Sequence, residues 1–343
     1  MPACGSQIVL CDLPVHVDFY RGCSHGCVYC FARRRPKCGP PPPVRPHETL
    51  ASLRRWIDGY RTLVTAWCDW RIPLHVGGMS DPLQPIERER RHTLACLELL
   101  AAARYPYVLS TKGTLAGESP WLDVLAASRA VVQVSLVSPR YNVLEPGAPS
   151  FAERLRLLRK LAPRVLRTIV RVQPYRPEVL GDVLAALPRY ADAGVFGIVC
   201  EGWKWKGRAD APPSVVKVAG DWCFPVDVLE RDFTRLRSAC HRLRLRFYCA
   251  ENRLRRLSDD HCCCGVDGLA GFRPNRANLN TLLLGRPIRY RRRMREVGTA
   301  YCFKSCAQDP VSTLALPRLS FADAMQLVAG VPGYRAALGL PPL

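Results

Sequence analysis

Residues 23–30 read Cys23-Ser24-His25-Gly26-Cys27-Val28-Tyr29-Cys30, and the spacing of the three cysteines decides how the rest of the chain is interpreted. Three thiolates on one short loop can bind three irons of a [4Fe–4S] cluster and leave the fourth iron open to another ligand. A zinc site usually takes four ligands in paired knuckles, and this loop adds only His25. The loop also follows an extended run at 15–20. The spacing therefore favours an open iron–sulfur cluster on Cys23, Cys27 and Cys30 over zinc.

The composition is that of a globular protein without a secretory signal or a membrane span. The chain has 343 residues, of which 48% are hydrophobic. It contains no run of about 18 apolar residues, which a bilayer-spanning helix would need. Its start lacks a charged segment followed by an apolar core, as a secretory signal would require. The 17 cysteines therefore predict metal ligands or free thiols in the cytoplasm, not a disulfide scaffold.

The charge of the chain indicates a polyanionic partner. The formal net charge is +21, mostly from arginine, and basic side chains bind phosphates with release of counterions. A GC-rich coding bias explains arginine in place of lysine but not the shortage of acidic residues. Arginine suits phosphate and an aromatic ring can stack on a base, so DNA is the expected partner, although a single basic run is more often a solvated face. Two stretches combine basic and aromatic residues: Trp203, Lys204, Trp205 and Lys206, and Arg286, Arg289, Tyr290, Arg291, Arg292, Arg293 and Arg295.

Strands and helices are predicted to alternate, which implies parallel strands joined by right-handed crossovers. No glycine-rich dinucleotide fingerprint follows the first strand, so the predicted fold class is α/β, a partial (β/α)6 TIM-like barrel at 1–235. A Cys- and Arg-rich C-terminal extension is predicted at 236–343. Predicted strands lie at 15–20, 73–77, 107–110, 131–137, 165–172, 195–200 and 245–250, and the last of these would extend the sheet. Predicted helices lie at 47–66, 86–104, 121–127, 178–191 and 226–243. A further helix is predicted to begin at the capping box of Ser150 and Glu153 and to end near residue 161.

Glycines and polar residues are found where the predicted strands end. In a parallel barrel, the loops after the strands carry the functional groups. Glycine lets backbone approach a ligand closely, and hydroxyl, ammonium and guanidinium groups bind carboxylates and sugar hydroxyls. Ordinary turn chemistry explains any one of these residues, but together with the cysteine loop they predict a cofactor site. The residues are Gly77, Gly78, Ser80 and Asp81, then Ser110 and Lys112, then Gln133, Ser135, Arg171, Gln173 and Glu201.

These motifs, taken in order, resemble the radical S-adenosylmethionine (SAM) superfamily and, within it, the spore photoproduct lyase-like branch. The resemblance covers roughly 15–200 and includes the cysteine loop, 80–87, 110–113 and 145–149. It implies that Cys23, Cys27 and Cys30 are the catalytic cluster ligands and that SAM chelates the open iron. With the strand-end residues Asp81 and Arg171, it predicts a SAM-binding set of Tyr29, Gly77, Gly78, Ser80, Asp81, Lys112, Ser135 and Arg171.

Two residues depart from the repair lyases of that branch. Those enzymes carry a cysteine near the end of the second strand, which returns a hydrogen atom to the product. They also carry a tyrosine directly after the third cluster cysteine. Here these positions are Gly78 and Phe31. A lyase that returns a hydrogen atom would need both groups, so repair of a DNA photolesion is an alternative and not the leading function.

A subset of radical SAM proteins from phages and prophages resembles the chain over more of its length. The shared features are Cys11-Asp12-Leu13-Pro14, the segment 73–82, Glu251-Asn252-Arg253-Leu254-Arg255 and Cys263-Cys264-Gly265. Some of those proteins are associated with hypermodified thymidines in viral DNA, including rearrangement of an amino-acid-substituted base. The resemblance implies a radical SAM isomerase or lyase that acts on DNA or a modified nucleotide. It would work in the host cytoplasm if phage-encoded, with flavodoxin or ferredoxin as electron donor.

Two further alternatives are modification of a ribosomal peptide and a non-catalytic iron–sulfur or zinc protein that binds nucleic acid. A peptide modifier would usually carry a leader-binding module, and neither end of the sequence suggests one. The non-catalytic alternative leaves the strand-end residues unexplained.

The C-terminal cysteines could hold a second iron–sulfur cluster or a structural zinc. Our choice of ligands is Cys263, Cys264, Cys302 and Cys306, with Cys262 as the spare. Buried free thiols are the alternative.

Overall fold

The computed structural model describes residues 2–4, 11–32, 44–62, 65, 71–205, 207–218, 221–276 and 278. Its strands are β1 (Ala3–Cys4), β2 (Val15–Val17), β3 (Tyr20–Arg21), β4 (Arg45–Pro46), β5 (Leu74–Val76), β6 (Tyr107–Thr111), β7 (Ala130–Ser135), β8 (Arg167–Tyr175), β9 (Gly197–Gly202), β10 (Lys204–Trp205), β11 (Val216–Val218), β12 (Asp221–Cys223) and β13 (Arg246–Cys249). Its α-helices are α1 (Leu50–Ile57), α2 (Glu87–Arg90), α3 (His92–Ala102), α4 (Trp121–Ala127), α5 (Phe151–Leu161), α6 (Leu180–Asp192) and α7 (Val226–Arg242). Among these described helices, none is long and apolar enough to cross a membrane.

The main sheet has the strand order β1-β2-β5-β6-β7-β8-β9-β13. β1 is antiparallel to β2, and every neighbouring pair from β2 to β13 is parallel. Parallel neighbours need crossover connections, which the helices supply. The predicted α/β partial barrel is therefore confirmed, and β13 adds a seventh parallel strand to the six expected.

The barrel extends past the predicted boundary between 235 and 236. That boundary lies inside α7, which packs on the barrel through buried residues such as Leu229, Phe233 and Leu236. β13 then pairs with β9 from Arg246 opposite Gly197 onward. Because β13 is hydrogen-bonded to β9 in the same sheet, the barrel continues at least to residue 249.

Several element boundaries differ from the predicted ones. The helix expected at 86–104 is two helices, because Arg91 adopts a left-handed conformation with φ of 49°. The helix expected at 47–66 ends at Ile57, two residues before Gly59, which has φ of +97°. α4 has the predicted bounds, and the capping box of Ser150 and Glu153 is present.

Alternate residues of the parallel strands line the barrel interior in layers, since side chains on a strand alternate between faces. Near the amino ends of the strands the layer is apolar and includes Val108, Val131, Ile169 and Val199. The next inward positions are Ser110, Gln133 and Arg171, and Ser135, Gln173 and Glu201 follow toward the carboxyl ends. The interior thus changes from apolar to polar toward the mouth, where the strands end.

Residues 261–272, here named the base segment, close the amino-terminal end of the barrel. Cys262, Cys264, Val266 and Phe272 pack on the apolar interior layer. A Cβ on Gly265 would lie 2.9 Å from Cδ1 of Ile169, so the backbone itself contacts the interior. The base segment therefore leaves the mouth as the entrance.

Asp12, just before β2, ties the N-terminal residues to this segment. Its carboxylate lies 3.0 Å from His261 Nδ1 and 3.0 Å from Arg276 Nη1, and accepts a hydrogen bond from Asn278 at 2.6 Å. The charges of His261, Arg255 and Arg276 lower the pKa of Asp12 although burial opposes them. This buried carboxylate thus joins residues far apart in the chain.

Candidate active site

The cysteine loop lies at the carboxyl end of β2 and is held there by the segment that follows β7. The Val28 amide donates to the Leu144 carbonyl at 2.9 Å, and the Gly147 amide donates to the His25 carbonyl at 2.9 Å. The contact is so close that a Cβ on Gly147 would lie 2.4 Å from the Ser24 carbonyl oxygen. The loop is therefore fixed by backbone contacts, which set the directions of its three cysteines.

The three cysteines have the donor chemistry that an iron–sulfur cluster requires. Cys27 is buried, Cys23 and Cys30 are partly exposed, and all three are free thiols. Burial and the Asp81 carboxylate raise the pKa of Cys23 to about 12. Burial also raises the pKa of Cys27, against the effect of the Lys112 ammonium. Binding of a metal would displace these protons. Among the residues that the structure describes, no three His, Cys, Asp or Glu side chains lie close enough together to hold a single metal ion. A [4Fe–4S] cluster does not need such a group, because each cysteine binds a different iron.

His25 and Asp81 form a buried ion pair that fastens the loop to β6. His25 Nε2 lies 3.2 Å from Asp81 Oδ2, with the side chains 2% and 8% exposed. Burial alone would raise the pKa of Asp81, but His25 and the hydrogen bonds from Thr111 and the Lys112 amide lower it to about 2. Asp81 likewise outweighs burial and raises the pKa of His25. The Asp81 carboxylate, predicted to bind SAM, is thus engaged by the protein and positions the loop.

The turn at 77–80 is held by Asp18, which the sequence analysis did not single out. The Asp18 carboxylate accepts hydrogen bonds from the amides of Met79 and Ser80 at 2.8 and 2.9 Å. The Ser80 hydroxyl donates to the Tyr20 carbonyl at 2.7 Å. These hydrogen bonds fix the conformation of the turn, and the role of Ser80 in binding SAM stays a prediction.

Tyr29, Lys112 and Glu145 meet beside Cys27. The Tyr29 hydroxyl donates to Glu145, which also accepts a hydrogen bond from the buried Arg154 guanidinium. Lys112 Nζ lies 4.0 Å from Glu145 Oε1 and 5.7 Å from the centroid of the Tyr29 ring. Since Arg154 already neutralises Glu145, the Lys112 ammonium can bind an anionic group next to the cysteine loop. This geometry suits the predicted role of Lys112 and Tyr29.

A polar layer crosses the interior of the barrel. Arg171 Nη1 donates to the Ser110 hydroxyl at 2.9 Å and to Gln133 Oε1 at 3.1 Å. The Ser110 hydroxyl lies 2.9 Å from His75 Nε2. Ser135, predicted to bind SAM, is the next inward residue of β7 toward the mouth. Arg171 is thus tied into the layer through its guanidinium, and its Cα pairs with that of Ser135.

His16 faces this layer beside Gly78. A Cβ on Gly78 would lie 2.8 Å from His16 Nδ1, and the His16 and His75 rings are 5.0 Å apart. Burial and the Arg171 charge lower the pKa of His16 to about 4. Burial and the charges of His16 and Arg171 also lower the pKa of His75. Both imidazoles are therefore neutral at physiological pH. Gly78 leaves room for His16, which no local sequence signal distinguishes from an ordinary strand residue.

At the other end of the sheet, β9 and β13 end in a group of buried charges. Lys204 pairs with Glu201, which the sequence analysis identified, and Arg253 pairs with Glu251. Trp203 lies between this group and the cysteine loop, with its ring centroid 5.2 Å from that of Tyr29. Both ends of the parallel sheet thus contribute to one mouth.

Four cysteines gather at the base of the barrel, away from the mouth. The thiol of Cys264 is hydrogen-bonded to Cys262 and Cys263. The hydrogen bond from Cys264 and the charge of Arg255 lower the pKa of Cys263 to about 6 against the effect of burial, and Cys11 lies close enough to interact with Cys263. The other two predicted ligands, Cys302 and Cys306, and the arginine run at 286–295 lie outside the described residues. A second metal site stays a prediction.

Comparison with known proteins agrees with the geometry of the mouth. Residues 17–172 match the radical SAM superfamily. This segment resembles a radical SAM domain. Members of the superfamily bind a [4Fe–4S] cluster and SAM, so the match supports these two cofactors for the segment. The three thiols, the adjacent Lys112 ammonium and the glycine backbone at 77–78 fit both groups.

The similar proteins include one mycobacterial relative and several repair-lyase structures. An uncharacterized protein of Mycobacterium tuberculosis is 28% identical over 200 residues, which cover 56% of this chain and 59% of that protein. A spore photoproduct lyase mutant with bound AdoMet (SAM) and dinucleoside spore photoproduct has a TM-score of 0.52 at 16% identity, over 67% of this chain and 73% of that one. Spore photoproduct lyase complexed with the dinucleoside alone gives 0.52 at 17% identity over the same shares. The predicted fold of the lyase-like branch is confirmed.

Proposed function

We propose that the chain is a radical SAM enzyme of the isomerase or lyase type that acts on a nucleic-acid base. The proposed substrate is an amino-acid-modified thymidine of phage-type DNA or its nucleotide. The observation that carries this proposal is the anchored loop of Cys23, Cys27 and Cys30 at the polar mouth of a parallel barrel. When bound there, a reduced [4Fe–4S] cluster supplies an electron that splits SAM into methionine and a 5′-deoxyadenosyl radical, which removes hydrogen from an inert carbon.

The residues of the chain position the cofactor and exclude water. Lys112 would bind the SAM carboxylate, because Glu145 is already paired with Arg154. The backbone of Gly77 and Gly78 would hold the SAM amino group. The base segment covers the opposite end of the barrel among the described residues, so substrate would approach from the mouth. A radical formed inside would be shielded from solvent on the covered side.

Three features support a base over other substrates and an isomerase over a repair lyase. The net charge of +21 suits a phosphate-bearing partner. Trp203, Trp205 and Tyr29 pack together near the mouth and form an aromatic group beside which a base could bind. Gly78 and Phe31 lack the groups that a hydrogen-returning lyase would need.

The radical activity is tested by reconstituting the chain anaerobically with iron and sulfide and adding dithionite and SAM. We expect 5′-deoxyadenosine from the wild type and at most traces from Cys27→Ala. Cys96→Ala, which removes a buried thiol from α3, is the matched control and should retain activity. Equal yields from Cys27→Ala and the wild type would contradict the proposal. Replacing dithionite with reduced flavodoxin or ferredoxin tests the proposed electron donor.

The substrate is tested with oligonucleotides and nucleotides that carry thymidine, an amino-acid-substituted thymidine or a thymine photolesion. After incubation, the DNA is digested to nucleosides and analysed by mass spectrometry. We expect a new nucleoside, or an isomer with altered retention, only from the amino-acid-substituted base. Conversion of the photolesion would favour the repair alternative, and no conversion of any nucleic acid would refute the proposed substrate.

A further inference from the structure

We infer that four charged residues at the ends of β9 and β13 form a receptor for a zwitterionic α-amino-acid group on the substrate. The residues are Glu201, Lys204, Glu251 and Arg253, here named the dipolar site. The inference rests on the proposed function, because it specifies which substituent of the base the protein recognises.

The dipolar site alternates negative and positive groups. The Lys204 ammonium binds one oxygen of Glu201, and Gln173 donates to the other. Arg253 Nε donates to Glu251 Oε1 at 2.9 Å, and these two side chains are 7% and 3% exposed. The pair of Arg253 and Glu251 is therefore buried, whereas the pair of Lys204 and Glu201 is partly exposed, with side chains 28% and 14% exposed.

Two atoms of this site have no hydrogen-bond partner among the residues that the structure describes. Glu251 Oε2 and Arg253 Nη2 are buried there without a hydrogen bond, although the other ends of both groups are paired. A buried charged atom without a partner is costly, and such atoms are normally satisfied. Glu251 Oε2 needs a donor and Arg253 Nη2 needs an acceptor. An α-amino-acid group supplies both, as an ammonium and a carboxylate.

Gly202 lies beside the unpaired carboxylate oxygen and places no side chain against it. A Cβ on Gly202 would lie 3.5 Å from Glu251 Oε2 and 2.9 Å from Cδ1 of Leu229. Gly202 is the last residue of β9, where the strand reaches the mouth. The space next to Oε2 is therefore on the substrate side of the barrel.

The charges of the site favour a dipolar ligand over an ion of one sign. Burial opposes the charge of Lys204, but Glu201 and Glu251 outweigh it and raise the pKa of this ammonium. Lys204 and Arg253 in turn lower the pKa of Glu251 against burial. Lys204 and Glu251 are thus ionised at neutral pH. The two carboxylates would repel a phosphate, and the two cations would repel a simple cation.

The position of the site suits a base that carries such a group. Trp203 lies between the dipolar site and the cysteine loop, stacked on Trp205 with ring centroids 5.3 Å apart and contacting Tyr29 on its other side. A base bound at the mouth beside this aromatic group would bring its substituent toward Glu251 and Arg253. The amino-acid group of SAM would be held at the cysteine loop, so this second receptor would serve the substrate.

The test measures binding to the full reconstituted chain with SAM by isothermal titration calorimetry. The three probes are a thymidine whose methyl carbon bears glycine through nitrogen, its N-acetyl derivative and its methyl ester. We expect the zwitterion to bind at least tenfold more tightly than either blocked form. Glu251→Gln should remove the preference over the N-acetyl form and keep the preference over the ester. Arg253→Met should do the reverse.

The control variants are Glu230→Gln and Arg256→Met, which break an exposed ion pair on the outside and should keep both preferences. If either dipolar-site variant fails to fold, Gly202→Ala fills the space beside Glu251 Oε2 without removing a charge and should lower affinity for the zwitterion alone. Equal binding of all three probes, or equal weakening of all three by both variants, would overturn the receptor.

A titration with free glycine distinguishes failure of the receptor from failure of the proposed substrate. Glycine binding that Glu251→Gln abolishes, with no binding of any nucleoside, would sustain the dipolar site and refute the base. Nucleoside binding without charge selectivity would sustain the base and refute the dipolar site. Formation of 5′-deoxyadenosine, measured separately, reports on the radical chemistry in both cases.

Discussion

Replacing Gly147 with alanine tests whether the cysteine loop depends on its contact with the segment after β7. The new Cβ would lie 2.4 Å from the Ser24 carbonyl oxygen and 3.1 Å from Cα of His25, whereas ordinary contact begins near 3.4 Å. The two backbones must therefore separate by about 1 Å, which strains the hydrogen bond from the Gly147 amide to the His25 carbonyl. Overpacking of this kind costs about 1–3 kcal/mol, because backbone yields less readily than a side-chain end.

We expect the Gly147→Ala protein to fold but to unfold several degrees below the wild type, since each kcal/mol shifts the midpoint by about 2–4 °C in a protein of this class. Displacement of the loop should also lower the iron content after reconstitution and the rate of 5′-deoxyadenosine formation. Gly181→Ala is the matched control: it lies in α6 with nothing within 4 Å of its Cβ. It should be neutral or stabilise by up to about 1 kcal/mol. Wild-type iron content, rate and midpoint in Gly147→Ala would refute the reasoning, as would an equal loss of iron in Gly181→Ala.

Three further predictions concern buried groups of the mouth. Asp81→Asn leaves His25 buried without its counter-charge, so it should destabilise the apoprotein by about 3–5 kcal/mol in chemical denaturation. In the wild type, the pKa of Asp81 is lowered to about 2. The stability that Asp81 contributes should therefore be lost only as the pH falls from about 4 toward 2. The pKa of His16 is lowered from 6.5 to about 4, so its contribution to stability is complete above pH 6.5 and is lost as the pH falls toward 4. His16→Gln should therefore flatten the curve of stability against pH in that range. An unchanged curve would contradict the burial of His16 as a neutral group. Gly77 has φ of +89° and a Cβ there would lie 2.5 Å from the Ser110 carbonyl oxygen, so Gly77→Ala should lower the unfolding midpoint more than Gly147→Ala does, and a smaller shift would count against this geometry.

The sequence predicted the parallel sheet well because its strands are bounded by local signals. Apolar runs located every parallel strand between 15 and 249, and the capping box at Ser150 located the start of α5. The break at Arg91 was missed because arginine in a left-handed conformation has no sequence signature. Boundary errors elsewhere, as at β8, reflect pairing with neighbouring strands, which extends a strand beyond its most apolar residues.

The candidate site was predictable where residues adjacent in sequence act together, as in the cysteine loop. It was less predictable where partners are distant in sequence. Asp18 is an ordinary acidic residue until the fold brings it to the turn at 77–80. The ion pair of Asp81 with His25 was also not predicted, because the two residues are far apart in sequence. The grouping of Cys11 with Cys263 likewise depends on contacts across almost the whole barrel. Such roles are set by tertiary packing, not by spacing.

The closure of the barrel by the base segment has a consequence for the synthesis of the protein. A ribosome releases residues 261–276 only after β13, the last strand of the barrel, so Asp12 has to wait for most of its partners. Until then the apolar lining at Val108, Val131 and Ile169 is open to solvent at one end of a nearly finished cylinder. Contacts so distant along the chain form slowly and leave aggregation-prone intermediates. A gene cut after β13 would retain every parallel strand and the cysteine loop yet encode an uncapped barrel, which makes the late-synthesised cap a requirement for producing the domain in usable form.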